Sequence, residues 1–223
     1  MRDTLFSRAE GRLLGLGLAL TALMLLAFAI GGFWFPDSVL TYAGMTGLNL
    51  VVGRAAGMSF GYASGLGHAQ VIPLNILVET IKVLVLYPLF VLSWRQLIRV
   101  PRLQSFVERM HHAAELRGGV VREFGIAGLF VFVLAPLWMT GPVVGAIIGF
   151  MVGLRDRVIL AVVLGGTYLA IGVWGVLLNE LNDWAESVNR FAPYALVLAM
   201  VLIALALHGL GRLRERPARG GGD

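Results

Sequence analysis

The sequence predicts an all-α, polytopic membrane protein with two oppositely oriented re-entrant helical hairpins arranged as an inverted repeat. Three observations predict it. The first is composition: 58% of the 223 residues are hydrophobic, 14% are charged, and the mean hydropathy is +0.82. Those values belong to an integral membrane protein, not to a soluble domain with a large core. The second is a pair of glycine ladders. Gly53, Gly57, Gly61 and Gly65 recur 88 residues later as Gly141, Gly145, Gly149 and Gly153, and both ladders end in Gly-Leu (Gly65-Leu66 and Gly153-Leu154). Glycine is only 29 of 223 residues, so a matched pair of four-membered ladders points to an internal duplication. The third is charge. The arginines lie in short segments flanking apolar runs, where they act as orientation signals and headgroup contacts.

The elements follow in order. Residues 13–35 are apolar and come after Arg2, Arg8 and Arg12. At 1.5 Å per residue this run reaches about 34 Å, enough to cross a hydrocarbon core of about 30 Å. It is too long for the apolar region of a signal peptide and no small-x-small cleavage site follows, so it reads as a retained first span. Residues 40–66 are rich in small side chains, contain the first ladder and carry Asn49 and Arg54. Residues 71–92 form a span interrupted by Pro73 and Pro88, with Glu79 and Lys82 at its centre. Residues 98–122 belong to the long polar stretch and read as a cytoplasmic amphipathic segment. Residues 124–154 are apolar but broken at Thr140-Gly141-Pro142. Residues 158–178 and 191–210 are spans joined by an acidic linker with Glu180, Asp183 and Glu186. A single transmembrane domain thus covers residues 1–211, with a first repeat over about 40–97 and a second over about 124–180. Residues 212–223 form a basic cytoplasmic tail.

Charge bias selects the re-entrant arrangement. If both ladder segments crossed the bilayer, the basic stretch between them would lie outside. If both turn back, every basic segment is cytoplasmic and the acidic one is external, as the positive-inside rule requires. Both termini are then cytoplasmic. The arms 124–139 and 141–154 would be helices of about 24 and 21 Å, each too short to span. Pro142 lacks an N–H and clashes with a continuing helix, which places a break there. The first hairpin would enter from outside and the second from inside.

Residues 124–141, Phe-Gly-Ile-Ala-Gly-Leu-Phe-Val-Phe-Val-Leu-Ala-Pro-Leu-Trp-Met-Thr-Gly, run on through Gly145 to Gly153-Leu154. This stretch resembles the signature of the small multi-drug export protein family, itself similar to the DedA/VTT membrane proteins. The arginine-rich segment before it and the Leu66-Gly67-His68…Ile72-Pro73-Leu74 stretch extend the resemblance to about residues 60–180. Where the family shows Pro-Leu-Pro-Gly-Thr-Gly, this chain has Pro136-Leu137-Trp138-Met139-Thr140-Gly141. The resemblance implies a pair of re-entrant hairpins and a transport-like role.

Charges inside a span are costly enough to be read as functional. Glu79 and Lys82, spaced i, i+3, share a helix face and can pair, either as a self-neutralised packing pair or as an ion- or proton-coupling carboxylate with its cation. Arg54 follows the first ladder glycine at the position that the repeat aligns with Pro142. It would sit near the tip of the first hairpin, where its planar fork suits a phosphate or carboxylate; the alternatives are an ion pair with Glu79 or a snorkelling side chain. Thr140, Gly141 and Pro142 would form the second tip, with backbone groups available to a ligand or simply a tight turn. The ladders themselves suit close helix packing.

Other motifs carry no chemistry. Gly57-Met58-Ser59-Phe60-Gly61 matches Gly-x-Ser-x-Gly, but it lies in a ladder helix instead of a strand–turn–helix elbow. His111-His112 are adjacent and point about 100° apart on a helix, which is poor for chelation. No P-loop or His-Glu-x-x-His is present, and no cysteine is available for disulfides, thiolate chemistry or metal ligation. The sequence therefore predicts a secondary, ion- or proton-coupled transporter of a lipid or a small amphiphilic or anionic molecule. The alternative is a non-transporting membrane scaffold or assembly factor. No enzyme activity, cofactor or metal is expected. The expected partners are membrane lipids and the substrate, not nucleic acid; a homo-oligomer stays open. The expected location is the plasma membrane, the inner membrane of a bacterium.

Overall fold

The computed structural model describes residues 2–97, 125–134, 141–189 and 191–214, all helical apart from short turns. The helices are α1 (Arg2–Trp34), α2 (Pro36–Val51), α3 (Arg54–Ala63), α4 (His68–Leu97), α5 (Gly125–Leu134), α6 (Gly141–Met151), α7 (Asp156–Val188) and α8 (Ala192–Arg214). Among the described residues, the stretches Glu10–Trp34, His68–Ser93 and Asp156–Val188 are long and apolar enough to cross a membrane. Together with the composition, they make this an integral membrane protein. The expected cytoplasmic segment 98–122, the residues 135–140 before the second ladder, and the end of the tail lie outside the described residues.

α2 and α3 form a helical hairpin. Pro36 opens α2, where its missing N–H costs no bond. Gly53 makes the turn with φ 127° and ψ 171°, a region open essentially to glycine alone. The arms pack antiparallel because α3 lacks side chains where it meets α2. A Cβ on Gly57 would stand 2.9 Å from both Asn49 Cβ and the Met45 carbonyl, and one on Gly61 would stand 2.6 Å from Met45 Sδ. At about 24 and 15 Å, neither arm is long enough to span.

The second half repeats this local structure at the same offset. Leu66 N–H donates to the Gly61 carbonyl and Leu154 N–H to the Gly149 carbonyl, both at 3.0 Å. Gly65 and Gly153 make the turns with φ +80° and +85°. α4 and α7 then begin at matching positions, His68 and Asp156. Gly61 packs on Val71 and Gly149 on Ile159, again matching positions. The two long helices also meet at a matched pair: the Thr80 and Tyr168 hydroxyls hydrogen-bond at 2.8 Å. With Ile72 lying against Gly175, that contact sets α4 and α7 antiparallel.

Two apolar cores result. One joins Val83, Tyr87 and Val91 of α4 to Leu129, Val133, Ala146, Ile159 and Val163. The other joins Met45, Met58, Tyr62, Val71, Ile171 and Leu178. α1 lies outside both. Only 6% of its apolar stretch is buried in protein, so most of its surface is left for lipid.

Three sequence expectations are corrected. The proline-interrupted span is a continuous helix: α4 passes through both Pro73 and Pro88. Each proline removes a single N–H···O bond, and neighbouring helices carry α4 across the gaps. The acidic linker is also helix, since α7 continues to Val188 and carries Glu180, Asp183 and Glu186 on its last turns. There Asn179 donates to Asp183 one turn on, at 3.0 Å. Finally, the first hairpin starts at Pro36, four residues before the expected Leu40.

Candidate functional site

The apolar middle of α4 carries Asn75, Glu79 and Lys82, whose spacing of four and three puts them on one face. All three are buried. Lys82 Nζ donates to Glu79 Oε1 at 2.6 Å and to Asn49 Oδ1 of α2 at 2.7 Å. Asn49 Nδ2 donates to Asn75 Oδ1 at 2.6 Å, and Asn75 Nδ2 to the Val71 carbonyl at 2.8 Å. An unbroken chain of donors therefore runs from the Lys82 ammonium to the α4 backbone. The close approach of α3 to α2 at Gly57, beside Asn49, helps to hold that asparagine in place.

Among the described residues, the second oxygen of the carboxylate, Glu79 Oε2, is buried with no hydrogen-bond partner, which is uncommon for a buried polar atom.

Arg54 opens α3 at the tip of the first hairpin and is buried. Its Nη2 donates to the carbonyls of Val133 at 3.0 Å and Leu134 at 3.4 Å, the last two described residues of α5. Arg54 thus ties the two halves together, and the Glu79 carboxylate is close enough for its charge to act on the guanidinium.

Of the residues singled out in the sequence, Arg54, Glu79 and Lys82 are thus all buried, and Glu79 is paired with Lys82. Gly141 and Pro142 open α6 and are buried; Thr140 lies outside the described residues. Asn49 was visible in the sequence but carried no role, Ser59 stood in a motif set aside as lacking chemistry, and Asn75 and Tyr62 had no reading. Asn75 had a legible signal, because it stands one turn before Glu79 on the same face of a span. Tyr62 had none, since its hydroxyl is placed only by the packing of α3 against Gly175 of α7. A lateral groove of about 290 Å³ between α1, α2 and α4 is lined by Phe28, Tyr42, Gln70, Pro73, Leu74 and Leu77, none of them part of this network.

The model of one protein family, described as "Putative small multi-drug export protein", matches residues 54–173. The match starts at Arg54, takes in Glu79 and Lys82, and ends in the middle of α7. The chain belongs to the small multi-drug export family. Comparison with the curated proteins and with the solved structures finds no match to either. Family membership and the three long apolar helices describe a membrane export-like protein.

Proposed function

We propose that this member of the small multi-drug export family is a secondary transporter and not an enzyme, with Glu79 as its coupling carboxylate. The observation that carries this reading is the buried Glu79–Lys82–Asn49–Asn75 chain with Oε2 of Glu79 left over. Ionisable groups at membrane depth are expensive, and those retained there mark ion and substrate paths. A purely structural pair would be expected to occupy both carboxylate oxygens.

In this reading the two helical hairpins are re-entrant and enter from opposite faces of the plasma membrane. Their short arms support that, as do the matched turns and the self-pairing of Thr80 with Tyr168 between antiparallel helices. Inverted repeats with broken helices place substrate and ion sites at the repeat interface near the midplane, where Arg54 and the network lie. The substrate is a lipid or a small amphiphilic or anionic molecule, met by Arg54 and by the backbone at Thr140, Gly141 and Pro142. Release of Arg54 from the α5 carbonyls would open the contact between the hairpins.

The test is reconstitution in liposomes holding a pH-sensitive dye, with a panel of amphiphilic anions and a fluorescent anionic phospholipid as probes. The parent protein moves protons together with a probe. Glu79→Gln, which keeps the shape but loses the titrating oxygen, still binds the probe but no longer moves protons. Normal proton-coupled movement by Glu79→Gln would eliminate Glu79 as the coupling group.

A further inference from the structure

A carboxylate that exchanges ions must be reached by water, and buried polar atoms mark a route to it. Among the described residues, Asn182 Oδ1, Tyr62 Oη, Ser59 Oγ, Thr46 Oγ1 and Glu79 Oε2 are buried with no hydrogen-bond partner. Such atoms are uncommon in native folds and are normally satisfied by water.

Their heights along the bundle can be read from the antiparallel pairing of α4 with α7. Ile72 lies at the level of Gly175, and Thr80 at the level of Tyr168. Tyr62 Oη stands 3.2 Å from where a Cβ on Gly175 would be, which fixes it at that level. Asn182 belongs to the same buried face of α7 as Ile171, Gly175 and Leu178. It lies seven residues beyond Gly175, about 10 Å nearer the turn that joins α3 to α4. Ser59 is nearly one turn deeper than Tyr62 on α3. Glu79 is seven residues past Ile72 on α4, about 10 Å deeper again. By height, Asn182, Tyr62, Ser59 and Glu79 therefore follow one another over about 20 Å, from the level of the α3–α4 turn to the carboxylate.

The second half is less polar at the matching positions. Ser59 is replaced by Ile147, Tyr62 by Phe150, Asn75 by Val163 and Lys82 by Ala170. Glu79 is matched by Thr167, whose buried hydroxyl donates to the Val163 carbonyl at 2.6 Å. Val163 and Ala146 belong to a buried apolar core.

We propose that a hydrated passage follows the seam between α3 and α7 from the α3–α4 turn to Glu79 Oε2, and that the α5–α6 half is dry. The ligand of this passage is water, together with the protons and small cations that water carries. The proposal rests on Glu79 as the coupling carboxylate for its purpose, but not for its test.

The chain contains no cysteine, so single thiols report without background. Asn182→Cys, Ser59→Cys and, as the apolar control, Ala146→Cys are prepared in membrane vesicles and exposed to Ag⁺. The surviving thiols are then counted with a maleimide after unfolding in detergent. A thiol must ionise to react, which apolar surroundings suppress, so Asn182→Cys and Ser59→Cys should react about tenfold or more faster than Ala146→Cys. Asn182→Cys, nearest the mouth, should react first. Rates at positions 182 and 59 no faster than at 146 overturn the passage, and Ser59→Cys reacting before Asn182→Cys overturns its direction. Should Ser59→Cys fail to fold, the comparison of position 182 with 146 decides. None of these rates needs transport, so a failure of the Glu79→Gln experiment leaves them interpretable, and the reverse also holds.

Discussion

Lys82 has two identified acceptors, Glu79 and Asn49, and both are buried. Removing the cation leaves the carboxylate without its counter-charge, whereas removing both charges leaves only a packing problem. Truncating one partner of a buried ion pair costs about 3–5 kcal/mol, while replacing both by apolar residues of similar volume is often close to neutral. Lys82→Met alone should therefore lower the thermal unfolding midpoint in detergent micelles strongly. The double variant Glu79→Leu/Lys82→Met should regain most of the loss and still not transport. If the double variant were as unstable as the single one, the pair would be a structural keystone and not a retained functional group.

At the scale of the helices, seven of the eight ladder glycines fall into two kinds, Gly141 having neither a positive φ nor a neighbour within 4 Å of a Cβ. Gly53, Gly65 and Gly153 make turns that other residues adopt with strain. Gly57, Gly61 and Gly145 instead sit where a Cβ would collide with a neighbour, and at Gly149 it would be tightly crowded at 3.1 Å. At Gly57 the obstacle includes the Met45 carbonyl, which is backbone and cannot swing away. Overpacking of this sort costs about 1–3 kcal/mol, so Gly57→Ala should unfold at a clearly lower temperature than the parent. Gly165→Ala is the comparison: a Cβ there meets nothing within 4 Å, and alanine exceeds glycine by about 1 kcal/mol in a helix interior. Circular dichroism melts of the two variants should move in opposite directions. Equal losses would mean that the packing of α3 on α2 is not what the glycines serve.

For the molecule as a whole, the question is what binds the two halves to each other. Within the described residues, Arg54 reaches the end of α5, and Thr80 meets Tyr168 where α4 and α7 cross. Hydrogen bonds between transmembrane helices average about 0.6 kcal/mol by double-mutant cycles. A cycle with Thr80→Val and Tyr168→Phe should return a coupling of about that size, small because each hydroxyl can find another partner. Arg54→Leu should cost more, since it removes a charge-assisted donor from the Val133 and Leu134 carbonyls. Limited proteolysis of the two variants would order them: looser hairpins in Arg54→Leu, an intact bundle in Thr80→Val. The reverse order would place the joint at the helix crossing.

The sequence by itself determined the membrane class, the helical content, the matched turns and the identity of three buried charges. Composition fixes the solvent, glycine spacing fixes where backbones turn or approach, and a charge inside an apolar run has few places to go. It misread α4 and the end of α7 because proline and acidic residues end helices only when nothing else supports them; here neighbouring helices and an i, i+4 side-chain bond do. Only the tertiary structure decided that Asn49 and Asn75 complete the charge pair and that Arg54 gives a donor to α5. Those relations join residues 26 to 80 positions apart in the chain. No local period records them, because they depend on how the helices pack.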